Sequence, residues 1–314
     1  MSQAPARAAF LFPGALGDFI CVLPALWQLL QRCDDLLVVA KAEWLELIEA
    51  PNLRKASIDR SAVADLFAAG PLKDSTRRLF EGCAQIYSWT GFGNPQVATR
   101  LASASGGQVS MFPFRGMFQN EPAADFYARC VGVQALPVPP NFVVQDQAWI
   151  SGLRRAHDLP ANPYVVLHPG SGSAKKNWLG FQLLAQRWKA QEPEAIVVLH
   201  GPAESGIELP EADVVVGGVS LPKVAALLRA SSLYLGNDSG ISHLAGLLQT
   251  DGVVLFGSGD ASVWAPRSAH LEVLQAQTAC EQCPSDSFCM HRLDVERVLA
   301  ALQERRRQTP SAQS

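Results

Sequence analysis

Short apolar runs recur along the chain, separated by stretches in which apolar positions return with helical spacing. Runs unbroken by polar residues suit strands buried on both faces, the mark of parallel sheets covered by helices. In the first half, residues 8–12 (AFLFP), 36–40 (LLVVA), 84–89 (AQIYSW) and 107–112 predict strands, with an amphipathic helix after Asp18 and others near 42–50 and 61–69. The second half repeats the pattern more clearly, at 164–168 (YVVLH), 195–200 (AIVVLH), 213–216 (DVVV), 232–236 (SLYLG), 252–257 (GVVLFG) and 271–275. Between the halves lies QALPVPPNF (134–142), where Pro137, Pro139 and Pro140 suppress helix and favour an extended connector. The boundary belongs between 134 and 162, and we set the domains at 1–155 and 156–314. A terminal helix over 294–305 is followed by a frayed tail, 307–314 (RQTPSAQS). The duplication is one of architecture, with no short internal repeat.

Composition narrows the class. At 48% apolar residues the 314-residue chain has enough to bury two cores, while 18% charged residues and a net charge of −3 argue against a general nucleic-acid binder. Seven Cys are neither the density nor the even count of a secreted disulfide scaffold, which implies a reduced, cytoplasmic setting. Residues 8–30 are apolar enough to suggest a signal peptide or membrane span, but Pro13, Gly14, Gly17, Asp18 and Pro24 interrupt them and no small-residue cleavage site follows. The stretch reads as part of a soluble fold.

Three segments carry candidate chemistry. In VVLHPGSGSAKKNW (165–178) a strand stops at His168 and enters a Gly/Ser loop with basic residues behind it. Such a loop presents backbone N–H groups and hydroxyls to an anion at the carboxyl edge of a sheet, with Lys176 as a point charge; a plain strand-to-helix turn has the same residues. The spacing matches neither the Walker loop nor the dinucleotide GxGxxG. In LYLGNDSGISHLAGLL (233–248) a strand ends at Gly236, Asp238 or Ser239 caps a helix, and His243 lies about one turn in; this is a second anion seat or an ordinary N-cap with a surface histidine. GNDSG is not the GxSxG of a serine-hydrolase elbow. In FPGALGDFICVLPAL (12–26) a strand, a glycine turn and a helix recur, with Asp18 in the first helical turn as a cap or as a functional carboxylate. Two α/β domains with glycine loops after their first strands would present those loops to a shared cleft.

HPGSGSAKKNW, GPAE (201–204), GNDSGISHLAG (236–246), VVLFGSGD (253–260), and ALGD followed by LPAL resemble, in kind and order, the motifs of glycosyltransferase family 9, which contains the bacterial heptosyltransferases of lipopolysaccharide core synthesis. The resemblance covers about residues 8–302; it is strong over 164–302 and thinner over 30–150, where the acceptor is read. It implies an α/β GT-B architecture, two Rossmann-like domains with parallel sheets facing across a cleft. It also implies inverting transfer from a nucleotide sugar held mainly by the C-terminal domain, most specifically heptose from ADP-heptose. Under the resemblance Asp18 is similar to the family's general base and Lys176 to the lysine on the donor diphosphate. Ser171, Gly172 and Ser173 fall in the phosphate loop, and Glu204 matches the acid that holds the ribose. Val219 lies where the base packs, and Asp238, Ser239, Gly240 and His243 match the second donor motif. LGF at 179–181 departs from the Trp-Pro of many members, while Lys176 and Trp178 keep their spacing.

The implied partners are a nucleotide-sugar donor and a lipopolysaccharide-core or lipid-linked glycan acceptor, with a cytoplasmic location and peripheral contact with the inner membrane. No D-x-D triplet occurs in the chain, so no metal and no cofactor is expected, with Lys176 and helix N-termini doing the neutralising. Two other classes stay open on the residues alone: a non-catalytic nucleotide-sugar-binding module, which has no use for Asp18, and a nucleotide-sugar epimerase, which needs no acceptor site. The basic stretch PNLRKASIDR (51–60), with Arg77 and Arg78, fits either phosphorylated acceptor sugars or a solvated face. Cys280, Cys283 and Cys289 with His291 read as a structural thiol cluster or a zinc site, and Cys21, Cys33, Cys83 and Cys130 as buried apolar residues.

Overall fold

The computed structural model describes residues 6–114, 121–159, 164–201, 209–276 and 290–308. The chain divides into two compact units, Met1–Val144 and Gln145–Ser314. In the first, the order is β1 (Arg7–Leu11), α1 (Leu16–Leu30), β2 (Asp35–Ala40), α2 (Ala42–Leu45), β3 (Leu53–Ser57), α3 (Ser61–Ala64), α4 (Asp74–Phe80), β4 (Gln85–Ser88), α5 (Pro95–Ser105), β5 (Gln108–Met111) and α6 (Ala123–Cys130). The second unit runs α7 (Gln147–Ala156), β6 (Tyr164–His168), α8 (Phe181–Gln191), β7 (Ala195–His200), β8 (Val214–Gly217), α9 (Leu221–Arg229), β9 (Leu233–Asn237), α10 (Gly240–Leu247), β10 (Gly252–Phe256), α11 (Ala261–Trp264), β11 (Leu271–Gln275) and α12 (Val295–Gln308).

Both sheets are parallel throughout, with strand orders β3-β2-β1-β4-β5 and β11-β10-β9-β6-β7-β8. Each unit therefore begins with a central strand, builds two strands outward on one side, and returns to the other side with its fourth. The order reverses between β1 and β4 in the first sheet and between β6 and β9 in the second. Loops leaving the carboxyl ends of such a pair diverge, and the crevice they leave is where open α/β sheets bind ligands.

The unbroken apolar strands of the second half lie where the sequence puts them, within a residue or two, because Val165, Leu167, Ile196, Val198, Leu233, Leu235, Val253 and Leu255 all enter one core between sheet and helices. The first unit departs more. β3 (LRKAS) is not expected from its pattern; it is an edge strand whose charges find partners in the fold. Arg54 Nε meets Asp35 Oδ1 at 2.6 Å, and Lys55 Nζ reaches the Ile48 carbonyl at 2.9 Å and Glu49 Oε2 at 2.6 Å. The helix expected over 42–50 is the single turn α2, since Leu47 and Ile48 turn into the core and Ile48 bridges Val143. That over 61–69 is α3 with one 3₁₀ turn behind it. The division falls ahead of the expected 155/156 because α7 packs with the second unit. Asp146 caps α7 through Trp149 N at 2.9 Å, its own N–H donates to the Pro222 carbonyl at 3.1 Å, and Arg154 donates to the Ala230 carbonyl at 2.9 Å.

Cys21, Cys33 and Cys83 are buried, and Cys130 is only half-buried. Burial, with Asp35 and Asp34 nearby, pushes the Cys33 thiol up to about 11, and burial does the same at Cys130. Both thiols are therefore protonated near neutral pH. No helix among the described residues is long and apolar enough to cross a membrane.

Packing of β10 on β9 leaves no room at one position. A Cβ on Gly252 would lie 2.1 Å from the Tyr234 carbonyl oxygen, which belongs to a fixed neighbouring backbone. Gly252→Ala is therefore expected to lower the urea midpoint by the equivalent of about 1–3 kcal/mol or more, the range of overpacked cores. An unchanged midpoint would mean that the two strands separate more easily than their pairing implies.

Candidate functional site

The carboxyl ends of β6 and β9 carry two of the segments singled out above. After β6 the chain runs through Pro169, Gly170 and a Gly/Ser loop, makes a 3₁₀ turn at Ala174–Lys176, and reaches Trp178. Ser171 is buried and stitches this loop together. Its hydroxyl lies 2.6 Å from the Ser173 carbonyl oxygen and 2.7 Å from Asn177 Oδ1, and it accepts from Ser173 N at 3.2 Å. Gly172 and Ser173 are exposed.

After β9, Ser239 is the N-cap of α10 and accepts from Ser242 N at 3.3 Å. Gly240 is the first helical residue, with its turn's N–H groups at the positive end of the helix dipole. Beneath it Tyr234 OH lies 2.9 Å from Ser242 Oγ, which donates to the Asn237 carbonyl at 2.5 Å. Burial pushes the Tyr234 hydroxyl well above the usual tyrosine range, so it works here as a neutral hydrogen-bonding group. His243 is buried rather than on the surface. The base of the helix is thus a fully packed polar stack.

An ion pair joins the two segments. Lys176 Nζ lies 2.5 Å from Asp238 Oδ2, with the lysine side chain 40% exposed and the aspartate 9%. Gly259, in the loop after β10, leaves the space that this carboxylate fills. A lysine ammonium has three protons. Asp238 holds one of them and so fixes the position of the charge, while the others remain for an anion arriving at the loop or at the start of α10.

Asn237 makes this arrangement possible, although no role was read for it from the sequence. It is fully buried at the end of β9; its Nδ2 donates to the Pro169 carbonyl at 2.7 Å and its Oδ1 accepts from Trp178 N at 3.2 Å. One carboxamide clamps both ends of the Gly/Ser loop. The available signal was a polar residue closing an otherwise apolar strand, LYLGN. Val219 lies half-buried between β8 and α9, at the same sheet edge but after a strand two places from β6. Glu204, Cys280, Cys283 and Cys289 lie outside the described residues, as does the side chain of His291.

In the first unit Asp18 is buried in the first turn of α1, where its Oδ2 accepts from Ala15 N at 3.2 Å. The loop before it is held by Trp44, whose indole N–H donates to the Gly14 carbonyl at 3.1 Å. Asp18 therefore stands at the carboxyl end of β1, beside the first sheet's own reversal point.

The sequence model of glycosyltransferase family 9 (heptosyltransferase) matches residues 132–291, just over half of the 314-residue chain. The chain belongs to glycosyltransferase family 9. Among relatives of this family 9 chain, lipopolysaccharide heptosyltransferase 3 of Escherichia coli is 28% identical over 120 residues, 34% of this chain and 35% of that protein. The match thus spans about a third of that relative's length. The solved structure of a family 9 glycosyltransferase from Veillonella parvula is similar with a TM-score of 0.78 at 16% identity, covering 98% of this chain and 99% of that one. Iron-containing, dodecameric TibC of enterotoxigenic E. coli, solved in complex with ADP-D-beta-D-heptose, gives 0.62 at 15% identity over 98% of this chain and 77% of its own. At these identities the likeness shows a shared fold, the α/β GT-B class.

Removing the clamp tests the site. Asn237→Ala strands two buried main-chain groups, each costing about 1–3 kcal/mol. It should lower the urea midpoint by the equivalent of a few kcal/mol. A variant with a wild-type midpoint would show that the loop is held by something other than Asn237.

Proposed function

We propose that this chain is an inverting, metal-independent glycosyltransferase that moves heptose from ADP-heptose onto a lipopolysaccharide-core or similar glycan acceptor. The observation that carries the donor half is the Lys176 ammonium, fixed by Asp238 beside the N-terminus of α10 and at the reversal point of the second sheet. Family membership and the heptosyltransferase relatives support the sugar. With the donor go a cytoplasmic location and contact with the inner face of a membrane that carries a lipid-linked acceptor.

In this reading the diphosphate takes its seat over residues 171–173, Lys176 and the first turn of α10. Glu204 holds the ribose and Val219 packs the base. An acceptor hydroxyl attacks the anomeric carbon from the side opposite the diphosphate, so that a C–O bond forms while the bond to the leaving ADP breaks. The electron pair leaves on the diphosphate, where Lys176 and the helix N-terminus meet the growing negative charge. The hydroxyl proton passes to Asp18, and His243 supports the donor loop.

Asp18→Asn keeps an oxygen for Ala15 N and removes the base. With ADP-heptose and a core oligosaccharide, turnover is expected to drop by about two to four decades, with ADP affinity and melting temperature nearly unchanged. A variant that melts much lower marks Asp18 as a structural cap. One that is stable and fully active removes it from the mechanism, and a wild-type chain that binds ADP-heptose but transfers nothing is a binding module.

Metal independence rests on the absence of D-x-D and on the placement of Lys176. Turnover should persist in excess EDTA. Activity that disappears with the chelator and returns with magnesium, manganese or iron would overturn this part of the proposal.

A further inference from the structure

The loop after β4 has features that joining β4 to α5 does not require. It runs Trp89, Thr90, Gly91, Phe92, Gly93, Asn94, and it leaves the carboxyl end of the strand beside β1, at the reversal point of the first sheet. Gly91 (φ 81°) and Gly93 (φ 80°) both adopt the left-handed conformation, which lifts the residue between them to the tip. That residue is Phe92, 54% exposed.

The loop is firmly held. Ser88 Oγ accepts from Thr90 N at 3.1 Å and donates to Thr90 O at 2.9 Å, Asn94 N donates to the Gly91 carbonyl at 3.0 Å, and Asn94 caps α5 through Gln96 N at 3.1 Å. Behind it the Trp89 ring lies 4.7 Å from Phe10 and 5.7 Å from Phe12. Phe12 in turn packs against Gly14, whose other close neighbour is Asp18. A rigid aromatic floor therefore connects this loop to the carboxylate of the proposed mechanism.

Among the described residues, two side-chain polar atoms on the loop have no hydrogen-bond partner. The Thr90 hydroxyl and the Trp89 indole N–H are both buried and make no hydrogen bond. Folded proteins rarely leave such groups unmet, and each has a cost with no return in the free fold. A single exposed phenylalanine is ordinary. An exposed ring presented by two left-handed glycines, two residues from an unmatched hydroxyl and at the kind of sheet edge where open α/β folds bind ligands, matches what a sugar offers: one apolar C–H face and a rim of hydroxyls.

Resting on the transferase reading above, we propose that residues 89–94 form the acceptor-sugar subsite, with Phe92 stacking under the ring of the accepting sugar and the Thr90 hydroxyl bonding to one of its hydroxyls. The loop thereby selects the acceptor, while Asp18 acts on it.

The test uses the full chain, ADP-heptose, and core oligosaccharide released from lipopolysaccharide by mild acid. Phe92→Ala should raise the acceptor KM about three- to tenfold and leave the donor KM and melting temperature unchanged, and Phe92→Trp should restore wild-type behaviour. Thr90→Val should raise the acceptor KM by a similar factor without lowering the melting temperature, because it replaces an unpaired buried hydroxyl with a methyl of the same shape. A purely structural threonine gives the opposite pattern, a lower melting temperature at constant KM. Wild-type acceptor KM in Phe92→Ala, or an equal rise in donor KM, overturns the subsite while leaving the transferase reading intact. If the wild-type chain transfers no heptose, that reading fails. Saturation-transfer NMR of the same oligosaccharide then decides the subsite without turnover: a signal lost in Phe92→Ala supports it, and a signal absent from wild type or retained in the variant overturns it.

Discussion

Parallel strands cannot be joined by a tight turn, and this restriction decides where the molecule has room for chemistry. Each connection must return over a face of the sheet, and among the described residues helices supply most of these crossings. Both units lay down a central strand first, fill one side, and return to the other, so each has one reversal point, at β1 and β4 or at β6 and β9. Only there do neighbouring loops diverge. The Gly/Ser loop and the α10 start stand at one reversal point, and Asp18 and the 89–94 loop at the other.

Geometry of that kind offers a place but not a shape. In the second unit the shape comes from Asn237, which ties the loop after β6 to the strand beside it at both ends. The ammonium of Lys176 is then fixed by Asp238 rather than left to wander on a flexible stem. A charge held before the reaction needs no reorganisation during it, which is the condition under which electrostatic help is largest. The same pair keeps the nearly buried Asp238 carboxylate from being an uncompensated charge.

The first unit is built differently at the equivalent edge. Instead of a polar clamp it has stacked aromatics, Phe10, Phe12, Trp89, Phe112 and Tyr127, with ring centroids 4.7–5.8 Å apart around Trp89. Such a floor supports the loop above it by packing. A seat for an anion calls for fixed charge and main-chain donors; a seat for a neutral sugar calls for rings and a few hydroxyls.

The sequence by itself determined what depends on neighbours along the chain. Runs such as VVLH, IVVLH and LYLG mark strands buried on both faces wherever they fold, and ordered motifs from ALGD to VVLFGSGD indicated the family. It missed α5, although Asn94 before it, Pro95 at its first position and Gly106 after it are ordinary start and stop signals. It also missed β3, for a deeper reason: LRKAS carries its charges into the sheet edge because Asp35 and the Ile48 carbonyl receive them there, and neither partner is visible in its own pattern. Only the tertiary structure decided that Asn237 is a clamp, that Lys176 rests on Asp238, and that the Thr90 hydroxyl has no hydrogen-bond partner among the described residues. The clamp bonds join residues 68 and 59 positions apart and the ion pair residues 62 apart. Periodicity reports which face a residue turns to the core, whereas the identity of its partner is settled by which strands the crossovers bring side by side.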